Sequence, residues 1–152
     1  MSIVALFTWV LAACGGLYLL AVWLIEYDRE FQGAASSRLP VPVICAHVLL
    51  AVGGLAVWGT YLITGNVRLA WAAVVVLVVV ASLGMVMAVR WIYMYRAVTQ
   101  MRLAAAAGGP ASPRGELAVP PERNFPVSVV IGHGVLAVAT LILVLLTALA
   151  AS

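Results

Sequence analysis

Four stretches of the chain, 3–25, 41–63, 69–89 and 127–149, contain no Asp, Glu, Lys or Arg. About 20 consecutive apolar residues in a helix cross the hydrocarbon of a bilayer. In lipid, each backbone N–H and C=O has to be paired within the protein, which leaves helices and closed barrels as the only spanning forms. Blocks of this length and uniformity therefore predict an all-α membrane protein, a bundle of four transmembrane helices forming a single membrane domain over 1–152. The third helix is expected to run on to about 95. With 66% hydrophobic and 9% charged residues, little is left from which to build a soluble domain. The first block has no basic segment ahead of it and leads directly to a second span, so it is read as a helix rather than a secretory leader.

The basic residues predict orientation. All eight are arginine. Arg29 and Arg38 lie between the first and second blocks, Arg90, Arg96, Arg102, Arg114 and Arg123 lie at or beyond the end of the third, and Arg68 alone lies in the opposite connection. Positive residues collect on the cytoplasmic side, so the two longer connections are expected in the cytoplasm and both termini outside, in a multi-pass protein of the plasma (inner) membrane. The net charge of +3 then reflects topology and an attraction to anionic lipid. It does not point to nucleic acid, for which the chain lacks a basic patch interleaved with aromatics. From about 97 to 124 the sequence turns to alanine, glycine, proline and charge, and is read as a cytoplasmic loop with a helical extension over 97–107.

The chain has two histidines, and each sits in one copy of a repeated segment. Over 39–55 and 125–141, Pro40 matches Pro126, Val41 Val127, Val43 Val129, His47 His133, Leu50 Leu136, Ala51 Ala137, Val52 Val138 and Leu55 Leu141. A weaker echo at a shift of 67 residues relates Ala21, Val22, Ile25 and Arg29 to Ala88, Val89, Ile92 and Arg96. Together they predict two tandem helical hairpins, parallel repeats about an axis along the membrane normal. Each histidine stands seven residues after its proline, roughly 10 Å along a helix at about 1.5 Å per residue. Both are then expected at one depth.

An imidazole inside hydrocarbon is costly unless it faces the bundle interior and finds a partner. Two at one level suit the axial ligation of one b-type haem, with His47 and His133 on the iron. On this reading Arg38, Arg90, Arg96 and Arg123 are candidates to pair with the propionates, and Gly54, Trp58, Trp91 and Ala137, with Ala51, Gly132 and Gly134, are candidates for the pocket. The pattern resembles that of the four-helix membrane b-type cytochromes. That resemblance implies electron exchange with quinone or a protein partner.

A second expectation is a cofactor-free accessory subunit of a larger membrane complex, in which the histidines only bond across helices and small-residue faces such as Gly15 and Gly16 or Gly53 and Gly54 point outwards to a partner. A homo-oligomeric pore or transporter ranks third, since no acidic group falls within the spans. Cys14 and Cys45 lie within apolar spans and are read as small hydrophobes. No phosphate loop, nucleophile constellation or metalloprotease motif marks a stand-alone hydrolase or transferase.

Overall fold

The computed structural model describes residues 1–31, 39–107 and 121–152. They form α1 (Ser2–Phe31), α2 (Val41–Thr64), α3 (Val67–Ala106), a 3-10 turn (Pro121–Asn124) and α4 (Val127–Ala150). All four α-helices are long and apolar enough to cross a membrane, the build of a multi-pass membrane protein. Their outer faces carry Phe7, Leu49, Ile63, Val75, Val135 and Val138, each more than half exposed. A surface of this kind is a liability in water and a solvated one in lipid.

Local chemistry sets the helix ends. Pro40 and Pro126 cap α2 and α4 with nearly the same backbone, φ −68° and ψ 116° against φ −64° and ψ 121°. A proline there gives up an N–H that no helical carbonyl could have accepted. At the other end of α2, Gly65 adopts φ +67° and donates its N–H to the Tyr61 carbonyl, a left-handed stop that glycine takes without penalty. The Asn66 side chain then accepts from the N–H of Arg68 at 3.1 Å and caps α3. Two residues thus turn α2 into an antiparallel α3.

In the bundle α1 packs along α4, α2 along α3, and α3 against α4, while the seam between α1 and α2 is sparser. Among the described residues, α2 and α4 lie on one diagonal and α1 and α3 on the other, with no close backbone approach across either. Helix α1 runs past 25 to Phe31, and α3 continues beyond its span through the extension expected over 97–107 as far as Ala106. At about 1.5 Å per residue its 40 residues span about 60 Å, roughly twice the hydrocarbon thickness.

The interior is layered. At the end holding the α2–α3 turn, Ala5, Trp9, Trp58, Ala70, Ala73, Val74, Leu77, Val144 and Ala148 form one buried cluster. Gly54 admits it, since a Cβ there would stand 2.9 Å from Val76 Cγ1 and 3.0 Å from Trp9 Cζ2. At the opposite end Trp23, Leu39 and Ile44 form a second cluster with Leu20, Met87 and Phe125 packed on it. The 3-10 turn, in a segment expected to be loop, docks against α1 and α3. Its Glu122 is 1% exposed, and the Glu122 carbonyl accepts from the Trp91 indole at 3.1 Å. An acid that looked peripheral in the sequence is therefore buried under the bundle.

Candidate functional site

Between the two clusters lies the histidine layer. His47 on α2 has Nδ1 3.0 Å from the Val80 carbonyl of α3, and His133 on α4 has Nδ1 2.8 Å from the Ala12 carbonyl of α1. A carbonyl oxygen only accepts, so Nδ1 carries the proton in each ring and donates it. In the neutral ring the lone pair is then on Nε2. Both histidines are thereby set in the same tautomer, with the same nitrogen left to bind.

The receiving surfaces share a design. In an α-helix the carbonyl of residue i already accepts the N–H of residue i+4, and the side chain at i+4 leans back over that carbonyl. Here the i+4 residues are glycines, Gly16 after Ala12 and Gly84 after Val80. A Cβ on Gly16 would stand 3.0 Å from Cε1 of His133, and one on Gly84 would stand 3.1 Å from Cε1 of His47. Glycine leaves the carbonyl open to a second donor and lets the ring lie against the helix. Gly15 backs the His133 ring as well, where an added Cβ would stand 3.6 Å from Cβ of His133.

The rings come from diagonally opposed helices and meet across the interior with centroids 6.3 Å apart and planes crossed at 62°. Both imidazoles and the glycines behind them are only half-buried, although they face inward. The layer is looser than the clusters on either side. Among the described residues no group of three or more His, Cys, Asp or Glu is assembled, so the site offers a metal two protein ligands. That is too few for a closed four-ligand zinc site and is the full axial set of a haem.

The other expected residues fall elsewhere. Gly54 and Trp58 belong to the packed cluster nearer the α2–α3 turn, seven and eleven residues beyond His47, or about 10 and 16 Å along α2. Ala51 and Ala137 are half-buried, one turn beyond the histidines. Gly132 and Gly134 meet open space and leave the imidazoles no extra room. Trp91 is buried at the other end, where it holds the 3-10 turn. Arg90 and Arg96 are exposed on α3 and Arg123 is half-buried in the 3-10 turn, while Arg38 lies outside the described residues. Cys14 and Cys45 are both exposed as free thiols.

The chain matches no protein family, no curated protein and no solved structure. The chemistry of the site therefore rests on its own geometry. Sequence reasoning missed the Ala12 and Val80 carbonyls and gave Gly15 and Gly16 a role, an outward one, only in the accessory-subunit alternative. The legible signal was a glycine at the same depth on both α1 and α3, at positions 68 residues apart.

Proposed function

We propose that the chain is a b-type cytochrome subunit of the membrane that holds one haem between His47 and His133 for electron transfer. The observation that carries this reading is the pair of Nδ1–carbonyl bonds facing each other across the bundle. Histidines that ligate metals characteristically donate their second nitrogen to a backbone carbonyl or a carboxylate, which sets the tautomer and the ring orientation. With metal–nitrogen bonds of about 2 Å and about 1 Å from each nitrogen to its ring centre, two imidazoles on one ion have centroids roughly 6 Å apart. The observed 6.3 Å is of that size.

Haem supplies one-electron iron chemistry. The chain's part is to present two neutral Nε2 atoms, hold their planes, and surround them with apolar layers. Arg90, Arg96 and Arg123, at the end of the bundle that holds the 3-10 turn, would be candidates to pair with propionates, with Arg38, directly before Leu39 in sequence, a fourth. The electron partner is quinone or another protein, because one haem spans only part of a bilayer.

We also read the chain as two tandem hairpins, in the register that the site supports. A shift of 68 residues, in place of the 67 read from sequence, superposes Ala12 on Val80, Gly16 on Gly84 and Trp23 on Trp91, while 86 superposes His47 on His133 and Trp58 on Val144. Both members of the first and last pairs are buried, as are both tryptophans. With the arginine bias, this reading puts both termini outside and the 3-10 turn on the cytoplasmic side.

The same bonds would also serve a cofactor-free accessory subunit, since each joins two helices. Two of its expected outward glycine pairs weigh against it: Gly15, Gly16 and Gly54 face inward, and of the four only Gly53 meets open space. The reduced-minus-oxidised visible spectrum of the detergent-purified protein decides between them. A sharp α-band lost in both His47→Ala and His133→Ala is expected. A featureless spectrum after expression with ample haem would leave the accessory reading standing.

A further inference from the structure

We infer that Gly16 and Gly84 are positioning residues that hold the two axial imidazoles crossed, and so set the electronic character of the bound iron. The inference rests on the haem reading and goes beyond it, because ligation requires two histidines but not any particular angle between their planes. Each ring is held at two adjacent atoms, by a carbonyl and by the glycine four residues after it on the facing helix. Nδ1 is anchored on the carbonyl of Ala12 or Val80, and Cε1 lies against the bare Cα of the glycine four residues on, at distances where a methyl group would stand 3.0 or 3.1 Å away. A hydrogen bond alone would let the ring swing about the N–O line. The glycine contact removes that freedom and leaves the planes at 62°.

Crossed planes have a spectroscopic consequence. In low-spin ferric iron the axial ring π-systems lift the degeneracy of the two dπ orbitals when they are parallel, because both act on the same orbital. Nearly perpendicular rings act on one orbital each and leave the pair close in energy. An angle of 62° is nearer the second case, so the axial ligand lever on the iron is set here by two backbone notches.

The test is electron paramagnetic resonance of the oxidised, haem-loaded full chain, read beside its visible spectrum. Wild type is expected to give a highly anisotropic low-spin signal with a large highest g value. Gly16→Ala and Gly84→Ala are expected to keep the α-band while the highest g value falls, since the added methyl forces the ring to turn. Gly53→Ala, whose Cβ meets nothing within 4 Å, is expected to leave the signal unchanged. A rhombic wild-type signal of the kind parallel rings give would overturn the inference while leaving the haem reading intact, and this outcome needs no variant to fold. Signals unmoved in both glycine variants would overturn it as well. Absence of an α-band in wild type would remove the haem reading and this inference with it.

Discussion

Neighbouring glycines on α2 have opposite worth. A Cβ on Gly54 would press on Val76 and Trp9 at 2.9 and 3.0 Å, while Gly53 meets nothing within 4 Å. Gly54→Ala should cost about 1–3 kcal/mol through overpacking, and Gly53→Ala should gain up to about 1 kcal/mol from helix propensity. Thermal unfolding of the two variants in one detergent should show shifts of opposite sign. In the sequence Gly54 was a candidate for the haem pocket and both were candidates for an outward small-residue face, but neither reading named Trp9 and Val76 as the neighbours of Gly54. What separates them is a neighbour on another helix, which no local pattern records. The histidines were the reverse case, since a polar ring in an apolar span stands out and its repetition implied a shared depth.

At the scale of elements, hydroxyl and indole groups bind helices that hydrophobicity alone would leave sliding. The Thr140 hydroxyl lies 3.0 Å from that of Thr8 and 2.8 Å from its own helix's Leu136 carbonyl, joining α4 to α1. Thr140→Val should weaken that pairing by about 0.6 kcal/mol, the usual worth of one such bond between membrane helices. Chemical denaturation in mixed micelles would measure the change. At the far end Trp91→Phe keeps a ring and deletes the donor to the Glu122 carbonyl. A loss of about 1 kcal/mol follows, with hydrogen exchange rising over 121–125 and unchanged near Trp58. The helices themselves were legible because length and hydropathy are summed over many residues. The docking of Pro121–Asn124 was not, because four polar residues become an element only once α1 and α3 supply the surface beneath them.

For the whole molecule, orientation and interior are governed by different physics. In the proposed orientation, which rests on the arginine bias, the connection after α3 is cytoplasmic and the Gly65–Asn66 turn lies outside. With Cys14 and Cys45 replaced by alanine, a membrane-impermeant thiol reagent on intact cells should label Asn66→Cys and spare Ser112→Cys. The reverse pattern would invert the topology. Neither result would alter the histidine layer, which depends only on how the four helices pack.

The amino-acid sequence was sufficient for the number and type of spans, the matching proline starts of α2 and α4, and the common depth of His47 and His133. Each of these follows from transfer into lipid or from distance along a single helix, quantities that add up residue by residue. Which helix faces which, the choice of Ala12 and Val80 as partners, the inward turn of Gly15 and Gly16, and the removal of Trp58 to a separate packed cluster came from the assembled bundle. Lipid is as apolar as leucine, so hydrophobicity does not say which side of a membrane helix turns inward. Close packing and the pairing of buried donors settle that, and both require two helices at once.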